Sequence, residues 1–396
     1  MRAVQYIRSV PRYLAARILG PRLENVYTSP FGCVRLANIA PPRLPGPAWV
    51  RVRPRLAGIC GSDLATLTAQ GSTYFDPFTS YPFTFGHEVV GEVTETGPEV
   101  SDLRAGDRVV LQPPLHCLVR GIADPCAACR AGHAAHCHNV GRGCIAAGIQ
   151  TGYCADTGGG WSESFVAHRT QLHLVTEATP DDVAVLVEPF ACCLHAALTT
   201  PVPEGASAVV LGAGTIGALT VAALRAAGAR GRIVVVAKHA HQERAARALG
   251  ADAVVAPGGL DGALADLLGA RVHARQLGRP VWIGGADVVF DCVGSERSLD
   301  DALRITRHQG TVVLVGMPGV PRGIDWTSIW HKELHLRGAY TSTRPTFRRA
   351  LEHVVVHGGD FGAIGIARFP LARYREAIHT ARHAGRAGVM KTAFVP

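Results

Sequence analysis

No uninterrupted apolar stretch in this chain reaches the roughly 18 residues that a bilayer-spanning helix needs. The opening "MRAVQYIRSVPRYL" contains no signal-peptide core. Both absences lead to the expectation of a cytoplasmic protein with no membrane partner. Basic residues outnumber acidic ones by 40 to 31, yet nowhere do five or six stand together. Such a scattered basic surface is solvated and makes no nucleic-acid footprint. Tandem repeats and low-complexity tracts are also missing. Eleven cysteines, an odd number without a secretion signal, argue against a disulfide framework and for metal ligands and buried free thiols.

What is present divides into zones. The 396 residues exceed what one ordinary core accommodates, so two domains are expected. Residues 1–190 are rich in Gly, Pro, Cys and His, with short apolar runs such as "PAWVRVRPRLAGIC" and "FTFGHEVVGEVTETG". They read as a β-rich domain. Residues 191–338 alternate: "ASAVVLGAG" strand, "TIGALTVAALRAAGA" helix, "GRIVVVAKH" strand, "QERAARALGA" helix. Further strands follow in "ADVVFDCVG", "GTVVLVGMP" and "ELHLRGAY", with helices between them. That alternation predicts a parallel sheet with helical crossovers. Residues 339–396 carry two helix-like stretches and a final strand, "VMKTAFV", expected to return to the first domain and leave a cleft between the two.

"LGAGTIG" places Gly212, Gly214 and Gly217 in G-x-G-x-x-G spacing after a strand and at the start of a helix, with Thr215 and Ile216 inside the turn. Gly212 permits the tight turn, Gly214 lets the backbone approach a pyrophosphate, and Gly217 lets helix and sheet pack closely. An NAD site carries a carboxylate about 20 residues further on, at the end of the second strand. Here that position is Ala237, followed by Lys238 and His239, and no Asp or Glu occurs between Gly217 and Gln242. The expectation is NADP(H) in preference to NAD(H), with Lys238 on the 2′-phosphate and His239 or Arg244 assisting. Val315 and Met317, after the later strand "GTVVLVG", are further cofactor-binding candidates.

Ahead of this motif stand "GICGSD" with Cys60, Ser62 and Asp63, "GHE" with His87 and Glu88, and "LVEPF" with Glu188. Cys, His and a carboxylate suit a catalytic Zn²⁺ that keeps one position open. Together with the glycine motif, these residues make the chain resemble a zinc-dependent medium-chain dehydrogenase/reductase of the alcohol and polyol dehydrogenase superfamily. The match covers nearly the whole chain apart from an insertion near residues 8–32. The resemblance implies a GroES-like catalytic domain joined to a Rossmann doubly wound parallel-sheet domain. It implies Cys60 and His87 as zinc ligands, with Glu188 or Glu88 as the third. Asp63 then orients the ligating His, and Ser62 takes the alcohol proton. Zinc as a Lewis acid lowers the pKa of a bound alcohol, and hydride passes to the nicotinamide. Cys192 shares a helix face with Glu188 and is expected to pack there rather than ligate.

The same resemblance implies a structural zinc held by four cysteines. Cys126, Cys129 and Cys137 align with three of them, but the first falls at Ala123. Cys117 is the favoured substitute, with His116, His133, His136 and His138 as other candidates. The family's relay His is also missing, replaced by Ala65. That keeps open a reductase of C=N or C=C bonds, or a nucleotide-binding protein without catalysis. The aromatics Tyr74, Phe75, Phe78, Tyr81, Phe83 and Phe85 are expected mostly in the core, some lining a substrate pocket. By resemblance, "ELHLRGAY" pairs with its twin in a homodimer or homotetramer, and the substrate is a small molecule.

Overall fold

The computed structural model describes all 396 residues. The apolar runs of the middle zone become a six-stranded parallel sheet. Its spatial order is Ala253–Val255, Ile233–Val236, Ala208–Leu211, Ala286–Asp291, Thr306–Leu314 and His335–Gly338. In chain order this is 3-2-1-4-5-6, the doubly wound arrangement of a dinucleotide-binding fold. Ala208–Leu211 and Ile233–Val236 are buried at every position. Such strands read as continuous apolar runs because helices cover both faces of the sheet.

The first zone folds around a seven-stranded sheet. Its central strand, Trp49–Gly58, pairs antiparallel with Val89–Thr96 and with the last strand, Lys391–Val395. In the latter pairing Phe394 stands opposite Ala57, so the C-terminus does return to the first half. A neighbouring strand, Ile366–Pro370, completes that edge and has no clear signal in the sequence. Phe394 packs edge-on against Trp161 at 5.0 Å, and the indole N–H donates to Gly58 O at 3.0 Å. A smaller sheet joins Arg2–Tyr6 to Val34–Asn38 and Phe83–Thr84.

Three features depart from the sequence reading. Residues 271–283, expected to lie in a helical crossover, form a hairpin of Arg271–His273 and Val281–Ile283, anchored by the buried Trp282, which donates to Asp261 Oδ1 at 2.7 Å. The stretch Asp181–Thr199 is helical, 19 residues long and apolar enough to cross a membrane, but 72% of its apolar window is buried as a core helix. Of the six aromatics before His87, only Phe83 and Phe85 are buried; Tyr74 is 72% exposed and Tyr81 36%. Tyr81 is exposed because its hydroxyl accepts from Arg8 at 3.1 Å at the base of the insertion. The insertion itself is a helix, Val10–Leu19, and a short 3₁₀ turn, Glu24–Thr28, pinned by the buried Tyr27.

Candidate active site and cysteine lobe

Cys60 caps the helix Gly61–Leu67, and the Asp63 carboxylate accepts from the Cys60 N–H at 3.0 Å. His87 follows Gly86, whose φ of +101° turns the chain where a Cβ would run into Trp161. Asp63 is fully buried, and its Oδ1 lies 3.5 Å from His87 Nδ1. Burial alone would lower the His87 imidazole, but the charges of Asp63, Cys60 and Glu188 outweigh it and push it well above its usual range. The site therefore favours positive charge at this point.

The two candidate carboxylates differ in their surroundings. Glu88 is buried in an ion pair with Lys391 Nζ, and Lys391 also donates to Ile59 O at 3.1 Å. Gly58 makes room for this pair, since a Cβ there would overlap Glu88 Oε2 and Lys391 Cε. Burial would lower the Lys391 ammonium, but Glu88 keeps it above its usual value. Glu188 makes no such direct ion pair, though His87 and Lys391 both act on it from a distance. Burial raises it to about 7, partly opposed by His87, and it accepts from the Cys192 thiol at 3.5 Å. Cys192 thus lies on the face of Glu188, as helical spacing predicts.

Two tyrosines that the sequence did not single out complete the surroundings. The buried Tyr153 hydroxyl donates to Asp63 Oδ1 at 3.3 Å and lies 3.2 Å from Thr66 Oγ1, with Ser62 within bonding reach. Tyr340 is raised to about 12, by burial first and then by Cys192 and Glu188. It stacks on Phe75 at 6.0 Å and meets His136 edge-on at 5.5 Å. No local pattern marks either residue, since each reaches the site across a long sequence separation. Cys60 and Glu188 both act on the buried His87 imidazole, and a thiol, an imidazole and a carboxylate are a donor chemistry that suits a borderline dication, although their ligand atoms are not drawn within 4.8 Å of one another as the lobe's sulfurs are.

The glycine turn has the shape its motif implies. Gly212 has φ +85°, and a Cβ on Gly217 would overlap the Gly212 carbonyl. A Cβ on Gly214 would meet nothing within 4 Å, so the N-terminus of helix Thr215–Ala226 stays open on that side. Thr215 Oγ1 donates to Met390 O at 2.7 Å, tying the turn to the C-terminal segment, and Cys193 donates to Ile216 O at 3.4 Å. Ala237 is buried at the end of the second strand; Lys238 and Arg244 are exposed, and His239 is half-buried. Val315 and Met317 follow the fifth strand, where Val315 N–H donates to Asp291 O at 3.0 Å.

The cysteine lobe settles into one arrangement. The sulfurs of Cys117, Cys126, Cys129 and Cys137 all lie within 4.8 Å of one another, with Cys117 and Cys137 at 3.6 Å. A tetrahedron with Zn–S near 2.3 Å has edges of about 3.8 Å. Backbone N–H groups of Cys126 and His138 donate to Cys117 and Cys126 at 3.3 Å, and that of Asn139 to Cys137 at 3.4 Å. Burial raises the Cys126 thiol, but the N–H groups and neighbouring thiols overcome this and bring it to about 6. His133, His136 and His138 are exposed and His116 half-buried, and all stay outside the group of four. The buried Arg120 organises the lobe by donating to the carbonyls of Leu115, Arg142, Ile145, Ala146 and Gly148 at 2.6–3.3 Å.

Comparison with known proteins agrees with this geometry. A family model described as "Zinc-binding dehydrogenase" matches residues 215–355, and one described as "Alcohol dehydrogenase GroES-like domain" matches 46–177. The probable diacetyl reductase ((R)-acetoin forming) 2 of Saccharomyces cerevisiae is 31% identical over 73% of this chain and 69% of its own length. The L-threonine 3-dehydrogenase of Saccharopolyspora erythraea is 29% identical over 92% of this chain and 96% of its own. A candidate zinc-binding dehydrogenase of Sinorhizobium meliloti 1021, solved bound to NADP, superposes with a TM-score of 0.71 at 29% identity, covering 92% of this chain and 96% of that one.

Proposed function

The chain belongs to the zinc-dependent medium-chain dehydrogenase/reductase family, and on that premise we propose that it is an NADP(H)-preferring oxidoreductase exchanging hydride with an alcohol or carbonyl carbon. Family membership gives it the fold, the use of zinc and a nicotinamide cofactor, and action on small molecules bearing a CH–OH group. The observation that carries the proposed chemistry is the convergence of Asp63, Cys60 and Glu188 on the buried His87 imidazole, with Asp63 Oδ1 3.5 Å from its Nδ1.

Cys60, His87 and Glu188 would hold the zinc, while Lys391 keeps Glu88 occupied nearby. When bound, zinc supplies Lewis acidity toward the substrate oxygen and the nicotinamide accepts or donates the hydride. Asp63 orients His87 and stabilises positive charge on it. Ser62 receives the alcohol proton, and the Tyr153 and Thr66 hydroxyls beside it stand in for the missing relay His. Gly212, Gly214, Thr215, Ile216 and Gly217 cradle the pyrophosphate at a helix N-terminus. Val315 and Met317 border the cofactor. Cys117, Cys126, Cys129 and Cys137 hold a second, structural zinc.

Ala237 and the exposed Lys238 support NADP(H): a carboxylate at the strand end would repel a 2′-phosphate, and here there is none. The NADP-bound relative points the same way. In this reading residues 1–190 and 339–396 act as the catalytic unit and 191–338 as the cofactor unit. The exposed edge strand His335–Gly338 pairs two subunits in a cytoplasmic dimer or tetramer. The deciding experiment screens metal-replete protein against alcohols, aldehydes, ketones, imines and enones with NADPH and with NADH. Faster alcohol–carbonyl turnover with NADPH is expected; equal or better kcat/KM with NADH overturns the cofactor assignment. Ala65 in place of the relay His favours a second reading, reduction of C=N or C=C bonds, which fast turnover of those substrates with negligible alcohol oxidation would establish. Cofactor binding without any turnover would overturn both.

A further inference from the structure

Outside the cleft and the cysteine lobe, three more metal-type ligands converge. His379 and His383 lie one turn apart along the helix Tyr374–Arg382 and its C-cap, and Glu24 comes from the inserted segment. His383 Nε2 is 2.9 Å from Glu24 Oε2 and His379 Nδ1 is 3.8 Å from it. The three ligand atoms all lie within 4.8 Å of one another. The imidazoles meet edge to face, with centroids 4.6 Å apart and planes at 86°. We propose that Glu24, His379 and His383 form a surface site for a divalent transition-metal ion of the zinc–nickel–copper class, which staples the inserted segment to the C-terminal helix.

The chemistry of the ligands selects that class. Two imidazoles and one carboxylate suit borderline metals, whereas calcium and magnesium call for oxygen alone. The i, i+4 spacing puts both imidazoles on one helix face, and the third ligand reaches them from across the chain. Three protein ligands leave a coordination position to water. The side chains of His379, His383 and Glu24 are 65%, 28% and 35% exposed, so an ion enters from solvent without any unfolding. Arg382 also faces the carboxylate, with Nη2 3.2 Å from Oε1 and Nη1 3.1 Å from Oε2. Its guanidinium is held 4.5 Å over the Tyr27 ring. Metal binding draws Oε2 away from Nη1 and leaves Oε1 on Nη2, so the arginine still orients the ligating carboxylate.

The competing arrangement is a direct contact between Glu24 and His383 that holds without any ion. A metal competes with protons for imidazole nitrogen, so its binding weakens as the solution is acidified. The test uses the zinc-loaded full chain freed of excess metal. Ni²⁺ is titrated in by calorimetry, with metal content read by elemental analysis. One further Ni²⁺ per chain is expected for the wild type, binding more weakly at pH 6 than at pH 8 and slowing tryptic cleavage at the exposed Arg17 and Arg22. The His379→Ala/His383→Ala variant should bind at least about tenfold more weakly, with unchanged turnover. The single His379→Ala variant, altered at the most exposed ligand, serves if the double one folds poorly. Equal Ni²⁺ binding by wild type and variants, no additional equivalent, or trypsin protection unaffected by Ni²⁺ would each overturn the site.

Discussion

The cysteine lobe and the cleft both gather residues that could hold a metal, yet they are assembled in opposite ways. In the lobe, four sulfurs and the arginine that organises the loop fall between Leu115 and Gly148. The donors are uniform, and backbone N–H groups already point at the sulfurs. The cleft draws on Cys60, Asp63, His87, Glu88, Tyr153, Glu188, Tyr340 and Lys391, from nearly the whole length of the chain. Its charges are mixed, and each is tolerable only because another is buried beside it. A closed site can therefore be local, whereas an open site with tuned charges needs the assembled fold.

The largest expected effect separates chemistry from architecture. His87→Ala should lower kcat/KM at least about 10³-fold, roughly 4 kcal/mol of transition-state stabilisation, while leaving the lobe's metal in place. Steady-state kinetics together with metal stoichiometry check this. If activity survives, the cleft is not where the chemistry lies.

The converse substitution is Arg120→Met, which strands several buried carbonyls and should cost about 3–5 kcal/mol. Denaturant melts and metal content read the effect. Loss of the structural metal with little change in the turnover of the remaining folded protein is expected; equal loss of both would dissolve the contrast between the two sites.

Histidines inside the fold sharpen the comparison with opposite signs. His87 is pushed up by its anionic neighbours, whereas burial lowers His116, His168 and His173 to about 4. For these three the folded pKa lies below the unfolded value of 6.5, so the unfolded chain binds more protons between those limits. Stability should be fully present above pH 6.5 and fall as pH drops toward 4, by up to about 3 kcal/mol for each histidine. His173→Gln should flatten that dependence. An unchanged slope in urea melts across this range would contradict the assignment.

The smallest effect concerns the cofactor unit. Ala237→Asp with Lys238→Ala should shift the NADPH-to-NADH ratio of kcat/KM by about tenfold, ~1.4 kcal/mol, with no change in metal content. A constant ratio would place the 2′-phosphate contact elsewhere.

Reading by local pattern succeeded where the structure is local. Five of the six strands of the nucleotide sheet and the first two helices between them appear where the alternation of runs puts them, because their hydrogen bonds and periodicities span few residues, whereas the three-residue edge strand Ala253–Val255 is too short to stand out as a run. Cys117 could be favoured as fourth sulfur because the nine residues before Cys126 suffice for a loop to fold back. The hairpin at 271–283 escaped notice because its strands are three residues each and only Trp282 is deeply buried. The aromatic run before His87 departs from the expected core packing because composition does not say which rings the insertion holds at the surface.

Residue type and spacing by themselves determined the parallel dinucleotide-binding sheet, its glycine turn and the lack of a carboxylate at Ala237, and they offered Cys117 among several candidates for the lobe's fourth ligand, a choice the structure made. Only the tertiary structure decided that Lys391 pairs with Glu88, leaving Glu188 to face His87, and that Tyr153 and Tyr340 close in on the cleft. It alone brought Glu24 to His379 and His383. The reason is physical: periodicity and capping act within a turn or two of the chain, whereas the partner of a buried charge is chosen by strand register and by the cost of leaving that charge alone.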